Sequence, residues 1–284
     1  KAKTMKYTVT LPMTLLLVPP AALEGADVHT PAGRPNIVLF LIDDLGWRDL
    51  GCQGSTFYHS PNIDRLVREG ARFTDAYSAC AVCSPTRAAI LTGKYPARLL
   101  LTDWLPSGRW NPQARLQSGR FVRALPLEEF TLAEALREAG YRTASIGKWH
   151  LGSEPFSLPE HHGFDVNIGG THWGAPNTFF SPFSGAKTFR DFRYVPGLGL
   201  GKPGEYLTDR LTDEALKLLD SVGQRPFYLN LCFHNPHTPI EGKPELAEHY
   251  RRKLTPGLRH HNAEYAAMVH TLDENVGRVL RYLD

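Results

Sequence analysis

The sequence has few cysteines and little charge imbalance. Only four cysteines occur in 284 residues, at positions 52, 80, 83 and 232, which is too few and too scattered for a fold held together by disulfides. The 32 basic and 29 acidic residues give a formal charge of +3, and no block of like charge is present that would bind nucleic acid. Because 42% of the residues are hydrophobic, we expect a fold built around a large core.

No apolar run in the sequence is long enough to span a bilayer. The run at residues 7–18 is short, follows three lysines within the first six residues, and ends at Pro19-Pro20, which is the layout of a secretory signal. Residues 1–26 are therefore predicted to be a signal-peptide-like segment of a protein exported to the periplasm or the extracellular space, without stable membrane insertion. A buried N-terminal element is the alternative, although such elements rarely begin with a lysine cluster.

Helical patterns alternate with apolar, strand-like runs over the rest of the chain. Apolar runs at residues 36–42, 141–146 and 226–233 predict buried strands. Capping and periodicity signals predict helices after Ser60-Pro61, after Ser84-Pro85, after Thr131, over 206–219 and over 263–283. The alternation predicts an α/β fold with a largely parallel central sheet and helices on both faces. Residues 105–125 and 152–204 are predicted to be long loops.

Polar residues directly follow three of the predicted strands. Asp43 and Asp44 end the first, Lys148 and His150 follow the second, and His237 follows the third. Because open α/β sheets bind ligands at the carboxyl ends of their strands, we expect these side chains to share one rim. Two adjacent carboxylates repel each other unless a cation neutralises them, which predicts Ca²⁺ or Mg²⁺ at the pair. A helix N-cap beside a solvated acid is the alternative.

Two cysteines three positions apart, Cys80 and Cys83, allow several interpretations. A redox pair would need a small thioredoxin-like fold, and a zinc site would need a second Cys or His pair, whereas Cys52 and Cys232 stand alone. Cys80 is suited to a small buried position. Cys83 precedes a predicted helix, where the helix dipole favours an anion, and Arg87 follows one turn later.

The segment that begins at Cys83 resembles the signature of a known family. The segment Cys83-Ser84-Pro85-Thr86-Arg87, with Thr92-Gly93 behind it, is similar to the Cys-x-Pro-x-Arg signature of the type I sulfatases, members of the alkaline phosphatase superfamily. The stretches IDDLG, GKWHLG and HNPHTP match the other motifs of that family in order and approximate spacing. The resemblance implies that residues 34–284 are the N-terminal portion of a sulfatase catalytic domain with an alkaline-phosphatase-like fold.

The resemblance implies a nucleophile and a cation. A separate maturation enzyme would convert Cys83 to formylglycine, whose hydrated aldehyde attacks sulfur. Asp43, Asp44 and the modified Cys83 would ligate a divalent cation, usually calcium in this family, with magnesium as the alternative. Arg87 would hold the formylglycine hydrate in place.

The resemblance also implies groups that bind the substrate, a small-molecule or glycan sulfate ester. Lys148 would bind a sulfate oxygen, and His237 would lie at the ester oxygen as an acid or hydrogen-bond donor. His150 would act as a base on the second hydroxyl of the hydrate. Aromatic residues of the predicted loops could stack on sugar rings, or serve as packing anchors: Trp104, Trp110, Trp173, Phe179, Phe180 and Phe183.

A Ser/Thr-Asp-Asn-Gly motif, which supplies two more cation ligands in such sulfatases, has no counterpart in the sequence. The chain is therefore expected to be a C-terminally truncated sulfatase fold. A sulfuric-ester hydrolase is the function implied. The alternatives are a phosphodiesterase or phosphonate hydrolase of the same superfamily, and a non-catalytic fragment that retains a binding groove.

Overall fold

Four parallel strands form the central sheet of the described structure. The computed structural model describes residues 33–106, 113–116 and 119–284. Its strands are β1 (Ile37–Ile42), β2 (Arg142–Gly147), β3 (Val166–Ile168) and β4 (Phe227–Phe233). Their order is β1-β4-β2-β3, and every neighbouring pair is parallel. The predicted α/β fold with a largely parallel sheet is confirmed.

Helices connect these strands in the described part of the chain, and short 3₁₀ turns lie at Gly51–Gln53 and Pro159–His162. The helices are α1 (Pro61–Glu69), α2 (Cys83–Thr92), α3 (Pro96–Leu99), α4 (Leu132–Glu138), α5 (Leu207–Val222), α6 (Pro244–Arg251) and α7 (Ala263–Leu283). None of them combines the length and the apolar content that a membrane crossing requires. The predicted signal-like segment 1–26 lies outside the described residues.

Strand β4 is buried on both faces because its side chains alternate between two cores. Leu229 and Leu231 pack with α5 and α7 on one face of the sheet. Tyr228 packs with α2 and α4 on the other face. Burying each leucine side chain contributes about 1.5–3 kcal/mol, so the two cores hold the helices firmly against the sheet. The prediction of helices on both faces is therefore confirmed.

Local sequence signals place several elements correctly. Thr131 forms the predicted capping box, in which its hydroxyl accepts from the Glu134 N–H at 3.1 Å and the Glu134 carboxylate accepts from the Thr131 N–H at 2.8 Å. The last helix occupies the predicted residues, Ala263–Leu283. Its Asn262 side chain caps the first turn by accepting from the Tyr265 N–H at 3.1 Å.

Two predictions on local structure are wrong in part. Helix α2 begins at Cys83, with Val82 as its N-cap, whereas Ser84 was the predicted cap. The Ser84 hydroxyl instead accepts from the Leu105 N–H at 3.0 Å, so it binds a distant loop and does not cap the helix. The predicted long loop at 152–204 contains β3, a three-residue edge strand that the sequence pattern is too short to reveal.

Gly147, the last residue of β2, has a conformation that only glycine adopts easily. Its φ is +99°, and a Cβ here would collide with the carbonyl oxygen of Cys232 on β4. We expect Gly147→Ala to lower the free energy of unfolding by more than about 3 kcal/mol, from left-handed strain plus the displacement of a strand. Urea unfolding measures this loss.

Gly199→Ala is the matched control for that variant. Gly199 also has a positive φ, +62°, but a Cβ there would meet no atom within 4 Å. Gly199→Ala should lower the free energy of unfolding by about 1 kcal/mol, from backbone strain alone. Equal losses for the two variants would show that the clash with β4 is absent.

His162 is a fully buried histidine in the core between the sheet and α4. Its exposed fraction is 0%, neither ring nitrogen has a hydrogen-bond partner among the described residues, and its ring lies 5.6 Å from that of Trp149. Burial lowers the pKa of His162 to about 4. The folded protein therefore keeps this ring neutral at a pH where the unfolded chain protonates it.

That difference predicts a loss of stability in acid. Because the unfolded state binds the extra proton below its pKa of about 6.5, the free energy of unfolding should fall by about 3 kcal/mol from this group between pH 7 and pH 4. His162→Phe should remove that part of the pH dependence in urea unfolding, while the exposed neighbour variant His161→Phe should retain it. A pH dependence unchanged by His162→Phe would contradict the assignment.

Candidate active site

Asp43 and Asp44 leave the end of β1 in different environments. Asp43 is buried, with 5% of its surface exposed, whereas the side chain of Asp44 is 60% exposed. Asp44 has a φ of +60°, a left-handed conformation that is unfavourable for residues other than glycine. His150, after β2, shares this feature with a φ of +59°. Strained backbone at two strand ends is typical of sites where function constrains the chain.

Asp43 lies between two buried cations. Lys148 Nζ contacts Oδ2 of Asp43, and Arg87 Nη2 lies 3.3 Å from Oδ1. Arg87 also donates from Nη1 to the Lys148 carbonyl at 2.8 Å, which joins α2 to the end of β2. Burial alone would raise the pKa of Asp43, but Arg87 and Lys148 outweigh it and hold that pKa well below the usual range.

These three charged groups do not balance. One carboxylate faces one ammonium and one guanidinium, and all three residues are at most 5% exposed. A buried excess of positive charge is costly unless an anion compensates it. The cluster therefore favours binding of a small anion at this point of the rim.

Cys83 lies in the first turn of α2 and faces the same place. A cavity of about 240 Å³ is lined by Cys83, Asp43, Asp44 and Arg87 together with residues 80–82. The α2 N-terminus has no side-chain cap, so its first N–H groups and its dipole favour negative charge in this cavity. All four cysteines are free thiols. The structure thus brings both aspartates, the cysteine and the arginine together.

His150 is held rigidly at the end of β2. Its N–H donates to the Thr171 carbonyl at 3.0 Å, and its ring Nε2 contacts the Leu105 carbonyl oxygen. That contact makes Nε2 the protonated nitrogen, so Nδ1 carries the lone pair, and it is buried without a partner among the described residues. Burial, together with the Lys148 charge, lowers the pKa of His150 to about 3.

His237 approaches the cavity from the end of β4. Its Nε2 lies 3.5 Å from Asp44 Oδ2, and its Nδ1 lies 2.7 Å from the Thr238 carbonyl oxygen. Its side chain remains 19% exposed, so it can meet a molecule that enters from solvent. The ends of β1, β2 and β4 therefore contribute to one rim, as expected for parallel strands.

Two residues of this region were given no role on the basis of the sequence. His234 is buried beside the rim, and burial with the Lys148 charge lowers its pKa well below the usual value. Cys232, at the penultimate position of β4, is buried next to Arg87, and burial raises the pKa of its thiol. Both residues lie at or just after the end of a strand that the sequence predicts to be buried. This position is the sequence signal that could have placed them behind the rim.

Most of the candidate sugar-stacking residues are not free to stack. Phe179 and Phe183 are buried in the core beside α5, and Phe180 packs edge-on against Tyr206. Trp173 is covered by the guanidinium of Arg193. Trp104 is 43% exposed and Trp110 lies outside the described residues.

The donor chemistry at Asp43 and Asp44 fits part of a divalent cation site. Both are hard carboxylate ligands lining one cavity, and the ammonium of Lys148 already lies against Asp43 as a stand-in cation. Within the described ranges, however, no group of three or more His, Cys, Asp or Glu side chains is arranged to hold a metal ion. Calcium takes six to eight oxygens, so further ligands would be needed.

The parallel sheet, with its polar rim at the strand ends, is an open α/β architecture and corresponds to the alkaline-phosphatase-like fold of the sulfatases. The chain superposes on the crystal structure of Ps i-CgsB with a TM-score of 0.72 and 31% identity, covering 88% of this chain and 55% of that one. It also matches the sulfatase family over residues 35–284. The chain therefore belongs to the sulfatase family, and the resemblance stated from its motifs is confirmed.

Curated relatives agree with this assignment. The chain is 35% identical to N-acetylgalactosamine-6-sulfatase of Canis lupus familiaris, covering 95% of this chain and 50% of the relative. It is 32% identical to an arylsulfatase of Hemicentrotus pulcherrimus, covering 81% of this chain and 42% of the relative. The chain thus spans about half the length of the curated relatives it matches.

Proposed function

We propose that the protein is a sulfuric-ester hydrolase whose nucleophile is formylglycine made from Cys83. The observation that carries the proposal is the buried excess of positive charge at Asp43, Arg87 and Lys148, next to the cavity that contains Cys83. A sulfate ester brings one negative charge to that cavity. The charge would compensate the excess and would be stabilised further as the sulfuryl group transfers.

The hydrate of formylglycine offers two hydroxyl groups for two steps. One hydroxyl loses its proton and its oxygen forms a bond to sulfur, while the bond from sulfur to the ester oxygen breaks and the ester oxygen takes up one proton as the alcohol leaves. The second hydroxyl then loses its proton, the aldehyde forms again, and the bond from carbon to the sulfated oxygen breaks to release sulfate. Arg87 would orient the hydrate, since it lies at the cavity beside residue 83.

Lys148, His150 and His237 would bind the substrate or move its protons. Lys148 would bind a sulfate oxygen and His237, which is reachable from solvent, would donate to the ester oxygen. His150 would accept the proton of the second hydroxyl at Nδ1, the nitrogen that carries the free lone pair. An anionic group beside Lys148 would offset the ammonium and raise the basicity of His150.

A divalent cation, calcium or magnesium, would be held in part by Asp43, Asp44 and the modified residue 83. When bound, such an ion would stabilise negative charge on the transferring group. The maturation enzyme that makes formylglycine is the implied protein partner, and export to the periplasm or outside the cell is the implied location. The relative named N-acetylgalactosamine-6-sulfatase favours a glycan sulfate ester as substrate.

Initial rates on an aryl sulfate and on the matching aryl phosphodiester test the proposal. The protein, produced together with a formylglycine-generating enzyme, should hydrolyse the sulfate faster. A faster rate on the phosphodiester would favour a phosphodiesterase or phosphonate hydrolase on the same fold. Turnover of neither ester would favour a binding protein.

A further inference from the structure

A second cavity, of about 450 Å³, lies beside the loop that follows β1. It is lined by Arg48, Arg259 and His260 together with residues 54–57 and 257–258. Its walls come from two segments that are far apart in the sequence. We call it the basic cavity.

The two arginines of the basic cavity lack acidic partners, whereas its third basic residue, His260, lies 3.8 Å from Asp49 Oδ1. No ion pair joins Arg48 or Arg259 to a carboxylate within the described part of the chain. Arg48 instead lies over the exposed ring of Trp47, 4.7 Å from its centroid. A guanidinium presents several N–H donors in one plane, so two of them at one cavity suit an anion that has two or three oxygens.

The wall behind these arginines is built into the core. His260 stacks on Tyr58 with ring centroids 4.7 Å apart and an interplanar angle of 23°. Tyr58 is only 8% exposed and belongs, with Phe57, to the cluster between α6 and α7. The wall formed by His260 is therefore supported by packed side chains, whereas Arg48 and Arg259 themselves are exposed.

One tyrosine connects this wall to the active-site rim. Tyr265, whose ring lies 5.5 Å from that of Tyr58, donates to Asp49 Oδ2 at 2.6 Å and lies 3.3 Å from the Asp44 carbonyl oxygen. Asp44 lines the cavity of Cys83, and Arg48 follows it by four residues. A substrate held at Cys83 that extends over this loop would reach the basic cavity.

We propose that the basic cavity binds a second anionic group, a sulfate or a carboxylate, on another sugar of the same glycan. This inference rests on the proposed function, because it assumes that the first sulfate ester occupies the cavity of Cys83. It identifies the substrate class as an oligosaccharide with more than one negative charge. It also makes Arg48 and Arg259 specificity residues that act away from the reacting atoms.

Equilibrium binding of three defined tetrasaccharides tests the inference. Each carries one sulfate ester on its terminal sugar, and the other sugars carry a second sulfate, a carboxylate or no charge. Dissociation constants are measured by calorimetry on the chain with Cys83→Ala, so that no ligand is consumed. A doubly charged ligand should bind about tenfold tighter than the singly charged one, and whichever second group gives the gain identifies the natural anion.

The double variant Arg48→Gln, Arg259→Gln should abolish that tenfold preference and leave the singly charged ligand nearly unaffected. The matched control Arg137→Gln, Arg281→Gln removes the same charge from exposed positions and should preserve the preference. Equal binding of all three ligands, or equal weakening of all three by either double variant, would overturn the inference. If Cys83→Ala shows the preference but the matured protein with Cys83 turns over no sulfate ester, the result would count against the proposed function alone.

Discussion

Cys83→Ala should lower kcat for an aryl sulfate by about 10⁴-fold or more, because the variant has no group that can form the covalent sulfuryl intermediate. Binding of the substrate should change little, since Asp43, Arg87 and Lys148 keep their buried charges. Single-turnover and steady-state rates on the matured protein measure the effect. KM should therefore stay within a few-fold of its original value.

Cys80→Ala is the matched control for this prediction. Cys80 lines the same cavity and is half-buried like Cys83. Its contact with the rest of the loop is made by its backbone, because the Cys80 carbonyl accepts from the Thr86 hydroxyl at 2.8 Å. Removal of its thiol should leave kcat within a few-fold of its original value. Comparable losses in the two variants would indicate a redox or structural pair and would contradict a single nucleophile at Cys83.

Lys148→Met should reduce both activity and stability. The variant removes a buried ammonium and its hydrogen bond from Asp43, which should cost about 1–3 kcal/mol of unfolding free energy, because the carboxylate keeps Arg87 as a charged partner. It should also lower kcat about 10²–10³-fold through loss of a cation at the transferring group. Urea unfolding and steady-state rates measure the two effects separately.

A double-mutant cycle separates the structural and catalytic parts of that effect. Asp43→Asn alone leaves two buried cations without an anion, and Lys148→Met removes one of them, so the double variant should be about 2 kcal/mol more stable than the sum of the two single effects. Its activity should not recover. A double variant that regains activity along with stability would mean that Lys148 acts only by holding Asp43.

Local sequence signals were sufficient to predict the helices whose boundaries depend on neighbouring residues. The capping box at Thr131 and the apolar stripe of α7 contain their own boundaries, and both elements form where the sequence predicts them. Strand β3 was missed because three residues carry no recognisable period. The start of α2 was misplaced because Ser84 is engaged by Leu105, a contact 21 residues away.

The site shows the same division between local and long-range information. The rule that ligands bind at the ends of parallel strands predicted that Asp43, Lys148 and His237 would share a rim, and the structure brings them to one. The direct pairing of Asp43 with Lys148, 105 residues apart, follows from the β1-β4-β2 strand order, which no local pattern encodes. The basic cavity likewise joins loops separated by some two hundred residues, and no local sequence pattern indicates it.

Mass spectrometry of the peptide that contains Cys83 tests the proposed nucleophile most directly. After production beside a formylglycine-generating enzyme, residue 83 should carry the mass of formylglycine, while Cys80 in the same peptide remains a thiol. An intact thiol at residue 83, in a chain that nevertheless hydrolyses sulfate esters, would contradict the proposed chemistry.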